Sequence, residues 1–149
     1  MLARENLTDH LEKKDKTNKI RQRLLKIRAK KVMLATGALE RPMVFNNNDR
    51  PGIMLSSAIK KYSDFYGVAC GRKIVFFTNN DSAYESALSL NDKGIKVEAI
   101  VDIRKQSETN LEKRVIDAGV KIYWEHTVVD TSGYKRLNNV SIMKLSNDG

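Results

Sequence analysis

Three short apolar runs separated by two amphipathic segments constrain the fold of this 149-residue chain more than any other feature. The runs are residues 74–77, 97–101 and 121–124, and the segments between them end at Gly94 and Gly119. A continuous apolar run is typical of a strand buried on both faces of a parallel sheet, and glycine commonly ends a helix. Because strand and helix patterns alternate at short spacing, the sequence predicts an α/β fold built on a parallel βαβαβ unit.

Further elements are predicted on either side of this unit. A helix before the first strand is indicated by apolar residues at helical spacing, and Gly67 is expected to end it: Leu55, Ala58, Ile59, Tyr62 and Phe65. Ser107 is the predicted N-cap of the last helix. After it we expect one strand over residues 120–130 and a final strand over 138–145, which together form a β-hairpin.

The first part of the chain follows a different pattern. Two short strands are predicted at residues 24–27 and 31–35, and the polar stretch "EKKDKTNK" reads as a hairpin loop or a disordered insertion. The dense turn signal "NNNDRPG" at 46–52 then separates two parts. We therefore expect domains at residues 1–45 and 46–149, the first of them a partial segment.

Residues with catalytic or metal-binding chemistry are scarce. Cys70 is the only cysteine, which leaves no internal disulfide and no cysteine-based metal site, and His10 and His126 form no cluster. No residue is a credible general base, nucleophile or metal ligand. The chain also contains no run of 18 apolar residues and no basic segment followed by an apolar core at its start, so we expect a cytoplasmic protein without a membrane partner.

Positive charge is concentrated near the N-terminus. Residues 12–31 carry ten basic side chains against Glu12 and Asp15, a net +8 out of the +9 of the whole chain. A localised basic stretch can bind phosphates, and a stand-alone module that binds an acidic partner or nucleic acid is one interpretation. The stretch has no aromatic residue to stack on a base, which favours a solvated loop and an exposed strand face instead.

The turn after the first apolar run tests whether the unit binds a dinucleotide. The fingerprint G-x-G-x-x-G/A falls on Thr78, Asn80 and Ala83, and only the third position keeps a permitted residue. We expect the carboxylate of Asp81 to occupy the anion site at the helix start and to repel a pyrophosphate. Asp102 stands where an acidic residue would bind a ribose, although an ordinary strand-end aspartate is the simpler interpretation. The sequence predicts that NAD and NADP do not bind at this turn.

Two long segments resemble a known family. "IRAKKVMLATGALERPMVFNNNDRPGIMLSSA" and "GRKIVFFTNNDSAYESALSL" are similar to the α subunit of heterotetrameric sarcosine oxidase, a family of flavoprotein oxidoreductases with two dinucleotide-binding domains. The resemblance implies a Rossmann-like, NAD(P)-binding-like domain inserted after a partial FAD/NAD-binding domain segment. It also implies that Ala35, Thr36 and Gly37 match the A-T-G segment of that first domain, close to a bound NAD.

The resemblance also carries expectations about function. It implies an internal piece of a larger subunit, in a complex that demethylates sarcosine oxidatively to glycine, with the other subunits of a heterotetramer as partners. The chain would supply dinucleotide-domain scaffold and no catalytic residues, and alone it would bind no cofactor. We further expect the isolated chain to self-associate, as a dimer or an aggregate, or to be disordered in this part, because the apolar side chains of four residues would lack the strands that cover them: Leu25, Ile27, Val32 and Leu34.

Overall fold

Two compact units make up the chain, residues 1–38 and residues 39–149. The computed structural model describes residues 1–12 and 19–146. The unit boundary lies earlier than the predicted domain boundary at 45/46, because the intervening segment is tied to the second unit. Glu40 accepts hydrogen bonds from the backbone N–H groups of Ser56 and Ser57 (2.9 and 2.8 Å), and the ring of Phe45 packs edge-on against Phe77.

The first unit contains an antiparallel strand pair. Strand β1 (Leu2–Asn6) pairs with β2 (Gln22–Lys26), with Leu2 opposite Lys26 and Asn6 opposite Gln22. The sequence predicted a strand near β2 but none at β1, whose alternation is too weak to indicate a strand without its partner. The polar stretch that was interpreted as a loop falls mainly on residues 13–18, outside the described residues.

The predicted strand at residues 31–35 is wrong. Residues 27–45 contain neither helix nor strand, and the side chains of Val32, Met33 and Leu34 are 61%, 92% and 82% exposed. The apolar run meets the local requirement for a buried strand, but a strand also needs a neighbour to accept its backbone hydrogen bonds. No such neighbour is present among the described residues.

The second unit begins with three helices and three strands in alternation. They are α1 (Ser56–Tyr66), β3 (Lys73–Thr78), α2 (Ser82–Asn91), β4 (Lys96–Asp102), α3 (Asn110–Asp117) and β5 (Lys121–Trp124). Strands β6 (His126–Ser132) and β7 (Asn139–Lys144) follow and pair antiparallel. Gly67 ends α1 in the left-handed conformation (φ 64°) that glycine adopts without strain, as predicted.

Strands β3, β4 and β5 form a parallel sheet in the order β3-β4-β5. The predicted α/β fold with a parallel βαβαβ unit is thereby confirmed. Both crossovers advance in the same direction, so right-handed connections bring α2 and α3 to one face of the sheet, where they contact each other. The core lies between this face and the helices, and its fully buried side chains include Leu90, Ile100 and Val115.

Two local predictions in this unit are wrong. Thr109, not Ser107, caps α3: its side chain accepts a hydrogen bond from the N–H of Glu112, and the Glu112 carboxylate accepts one from the N–H of Thr109. This reciprocal capping box explains why the helix begins after Thr109, since it satisfies two backbone donors at once. The predicted single strand over 120–130 is divided at Glu125, whose positive φ of 54° turns the chain from β5 into β6.

The turn at residues 46–52 is anchored to the β6–β7 hairpin. The side-chain amides of Asn46 and Asn47 both donate to Asp130 Oδ1 (3.2 and 2.9 Å). The Arg50 guanidinium donates to the carbonyl oxygens of Gly133 and Thr131. Hydrogen bonds from the amide of Asn47, the backbone N–H of Thr131 and the amide of Asn46, in that order, lower the pKa of the Asp130 carboxyl below its ordinary value.

Candidate functional site

The carboxyl ends of the three parallel strands meet at one edge of the sheet. Thr78, the last residue of β3, lies opposite Asp102 at the end of β4, and Asp102 lies opposite Trp124 at the end of β5. Ligands of open α/β sheets bind at this edge, beside the turn that leads into the first crossover helix. The turn at 78–83 and Asp102 therefore form the candidate dinucleotide site of the second unit.

The turn itself is filled by its own side chains. Thr78 Oγ1 accepts from the N–H of Asn80 (3.1 Å) and donates to the Asn80 carbonyl (2.9 Å). Asn80 Oδ1 accepts from both the N–H and the hydroxyl of Ser82 (3.0 and 2.6 Å). A side-chain oxygen thus bonds the N–H of the first residue of α2, one of the donors that a phosphate at a helix start would use.

The prediction that the Asp81 carboxylate occupies the start of α2 is wrong. Its side chain makes no capping hydrogen bond to the start of α2, and its carboxylate instead pairs with Arg104 Nη1 at 2.8 Å. A carboxylate at a helix start is stabilised by the helix dipole, but here the ion pair with a guanidinium from the loop after β4 is the stronger interaction. The side chain that occupies the helix start is Asn80.

Asp102 is buried and fully hydrogen bonded. It is 1% exposed and receives the Tyr84 hydroxyl (2.8 Å) together with the backbone N–H (2.8 Å), Nε (3.1 Å) and Nη2 (2.7 Å) of Arg104. Burial, followed by the hydrogen bond to Asp102, raises the pKa of Tyr84, and the hydrogen bond to Asp102 raises that of Arg104. Sequence reasoning missed both partners, although the Asp-x-Arg spacing after an apolar run was a usable signal for Arg104.

Ala35, Thr36 and Gly37, the predicted dinucleotide contacts of the first unit, lie in the stretch without regular structure. All three are exposed, and apart from the adjoining residues of the chain no described atom lies within 4 Å of the position that a Cβ would take at Gly37. Gly37 has a positive φ of 69°, a conformation that glycine adopts readily at a turn. The described residues form no cradle around this segment, so its role as a cofactor contact stays a prediction.

The basic stretch shows partial charge compensation across the β1–β2 pair. Arg21 forms an ion pair with Asp9 (2.9 Å), and Arg23 lies 3.6 Å from Glu5. Paired guanidinium groups are less available to phosphates than free ones. This arrangement fits an ordinary charged hairpin surface rather than the alternative interpretation as a nucleic-acid module.

Other kinds of site are missing from the part of the chain that the structure describes. Residues 1–12 and 19–146 contain no group of three or more histidine, cysteine, aspartate or glutamate side chains able to hold a metal ion. Cys70 is a free, exposed thiol. None of the described helices is long and apolar enough to cross a membrane.

The fold of the chain is similar to that of a solved oxidoreductase. No family model matches the sequence. The structure is similar to that of a thioredoxin reductase from Gloeobacter violaceus, with a TM-score of 0.52 and 15% sequence identity over 72% of this chain and 34% of that chain. At this identity the likeness shows a shared fold, and it agrees with the parallel βαβαβ unit.

Sequence comparison finds much nearer relatives. The chain is 40% identical to sarcosine oxidase subunit alpha of Corynebacterium sp. strain P-1 over 99% of its own length and 15% of that subunit. It is also 40% identical to the subunits of the same name from Corynebacterium sp. strain U-96 (88% of this chain, 13% of the subunit) and Rhizobium meliloti strain 1021 (81% and 12%). The chain thus spans less than a sixth of the length of these relatives. These matches confirm the resemblance seen in the sequence and identify the chain as a homologue of one segment of the sarcosine oxidase alpha subunit.

Proposed function

We propose that this chain supplies dinucleotide-domain scaffold to the alpha subunit of a sarcosine oxidase-like complex, which demethylates sarcosine oxidatively to glycine. The observation that carries the proposal is 40% identity extending over 99% of the chain. Such a match preserves a whole folded segment rather than a short motif. The relatives are named as subunits, so the proposed partners are the other subunits of a heterotetramer.

The structure supports a scaffolding role in preference to a catalytic one. The polar groups at the carboxyl edge of the sheet, Asp102, Arg104 and Tyr84, are bonded to one another. A general base or nucleophile needs a free lone pair within reach of a substrate, and the acceptor positions of the Asp102 carboxylate are already filled by donors from Arg104 and Tyr84. The proposal therefore assigns no catalytic step to this network.

The proposed cofactor of the larger subunit is NAD, and the proposed contact is the backbone at Ala35, Thr36 and Gly37. These residues are exposed and unpartnered by any described element, so they would meet the dinucleotide only where the remainder of the subunit covers them. Glycine at position 37 has no side chain to obstruct a close approach of the ligand to the backbone.

A segment exchange tests the proposal. The 150-residue matching segment of the strain P-1 alpha subunit is replaced by this chain, and the chimera is coexpressed with the other subunits of that enzyme. We expect the chimera to copurify with those subunits and the complex to convert sarcosine to glycine. The readouts are the mass of the purified complex, its bound NAD and the glycine formed.

Two matched substitutions in α3 serve as controls. Val115 is fully buried and its neighbour Ile116 is 46% exposed. Val115→Asp places an unpaired charge in the core and should abolish assembly, whereas Ile116→Asp should leave it intact. A chimera that is folded and soluble but does not associate with the other subunits would overturn the proposed function.

A further inference from the structure

A dinucleotide site of the Rossmann type depends on three local features. The turn after the first strand must let the ligand approach bare backbone, the following helix must present free N–H groups, and an acidic residue at the end of the second strand must accept a ribose hydroxyl. In the second unit these features would come from residues 78–83 and from Asp102.

The side chains of Asn80 and Thr78 cover the backbone of the turn and occupy an N–H group at the start of the helix. Asn80 carries a side chain where the fingerprint has its second glycine, and its Oδ1 bonds both the N–H and the hydroxyl of Ser82. Thr78, in place of the first glycine, bonds the N–H and the carbonyl of Asn80. A pyrophosphate would have to displace these bonds and the amide group of Asn80 with them.

Arg104 occupies the acidic residue at the end of the second strand, Asp102. An ionised carboxylate offers about four acceptor positions, and Asp102 already receives four donors, three from Arg104 and one from Tyr84. A ribose hydroxyl is neutral and therefore a weaker donor to a carboxylate than the guanidinium it would replace. Arg104 is also held from the other side by Asp81, so its withdrawal would disrupt two ion pairs.

A phosphorylated ribose fits no better. The positive charge of Arg104 is already opposed by the carboxylates of Asp81 and Asp102. A 2′-phosphate placed beside Arg104 would approach both carboxylates and be repelled by them. The same network thus disfavours NADP as well as NAD.

We propose that the carboxyl edge of β3 and β4 is closed to dinucleotides by the chain's own side chains, and that Asn80 and Arg104 are the residues that exclude the ligand. This inference does not depend on the proposed function, which places NAD at a different segment of the chain. In the closed arrangement, the pairs formed by Arg104 join the start of α2 to the end of β4.

The test is a titration of the full chain, isotopically labelled for NMR, with NADH and NADPH. In the natural sequence, amide resonances of residues 79–84 and 102–105 should show no saturable shift up to about 1 mM ligand. Asn80→Gly combined with Arg104→Ser should produce saturable shifts at these residues, with a Kd at least about tenfold lower than that of the natural chain. The matched control is Asn138→Gly with Arg72→Ser, which alters two exposed side chains outside the 78–83 turn and should behave like the natural chain.

Each outcome decides the inference. Saturable binding at these residues in the natural chain would overturn it, as would a folded double variant that binds no more tightly than the natural chain. Should the double variant fail to fold, Asn80→Gly alone should allow ligand-dependent shifts at the first amides of α2, and their absence would likewise count against the assignment.

Discussion

The hydroxyl of Tyr84, in the first turn of α2, donates a 2.8 Å hydrogen bond to Oδ2 of Asp102 at the end of β4. Both residues are 1% exposed, so the bond lies in the interior of the second unit. It connects the first crossover helix to the central strand of the sheet. Arg104 completes the surroundings of the same carboxylate and extends the connection to Asp81.

Tyr84→Phe should destabilise the chain by about 1.5–2 kcal/mol, because it removes a buried hydrogen bond to a charged acceptor while keeping the ring. Chemical denaturation followed by circular dichroism measures the change. Tyr62→Phe is the control: Tyr62 is 44% exposed, and its substitution should change stability by less than about 0.5 kcal/mol. Equal effects of the two substitutions would show that the bond to Asp102 contributes nothing to stability.

Arg104→Met should lower the free energy of unfolding by about 1–2 kcal/mol, because it removes hydrogen-bond donors from the buried carboxylate of Asp102. The cost is below the roughly 3–5 kcal/mol of a fully buried pair because the Arg104 side chain is 36% exposed. Arg104→Lys should fall between the natural chain and the Met variant, since lysine keeps the charge but not the forked geometry that reaches two carboxylates. Arg72→Met, at an exposed position, serves as the control in the same denaturation series. A Lys variant as unstable as the Met variant would contradict a role for charge at this position.

Val115→Ala should destabilise the second unit by about 2 kcal/mol, from lost burial of two methyl groups and the cavity left behind. Ile116→Ala, on the neighbouring residue of α3, should have an effect of less than about 0.5 kcal/mol because Ile116 is 46% exposed. The comparison checks the orientation of α3 against the sheet. A larger effect at Ile116 would mean that α3 presents the opposite face to the core.

Acidification should destabilise the anchoring of the 46–52 turn to the β6–β7 hairpin. The amide of Asn47 and the N–H of Thr131 hold the pKa of Asp130 below its ordinary value of 3.8. A lowered pKa in the folded state means that this carboxylate contributes stability above the ordinary value and loses it as the pH falls through the folded value. Unfolding midpoints measured from about pH 7 down to pH 2.5 should therefore fall more steeply for the natural chain than for Asp130→Asn. Parallel curves for the two proteins would contradict the role of these hydrogen bonds.

The elements that the sequence predicted correctly are those whose pattern is complete within a few residues. The apolar runs at 74–77 and 97–101 identify β3 and β4, and Gly67 marks the end of α1. The division at Glu125 was missed because nothing in an otherwise regular strand pattern signals a positive φ at a glutamate. The cap of α3 was predictable in principle, since Thr109 and Glu112 have the spacing of a capping box.

The candidate site was harder to predict because its bonds join residues far apart in sequence. Asp81 was expected to act on the helix start beside it, yet it pairs with Arg104. That pairing depends on the parallel register, which brings the ends of β3 and β4 together. The residues around Asp81 in the sequence contain no information about this register, so the ion pair with Arg104 could not be predicted from them.

Amide hydrogen exchange, compared between the isolated chain and the same chain within the strain P-1 chimera, shows whether the larger subunit covers residues 31–37. In the isolated chain we predict slow exchange in β3, β4 and α2 and fast exchange at residues 27–38, where Val32 and Leu34 are exposed and no strand forms. Within the chimera, residues 31–37 should become protected while β3 and β4 stay unchanged. An exchange profile that is identical in both states, or uniform protection from residue 1 in the isolated chain, would show that residues 31–37 are not a segment that the larger subunit covers.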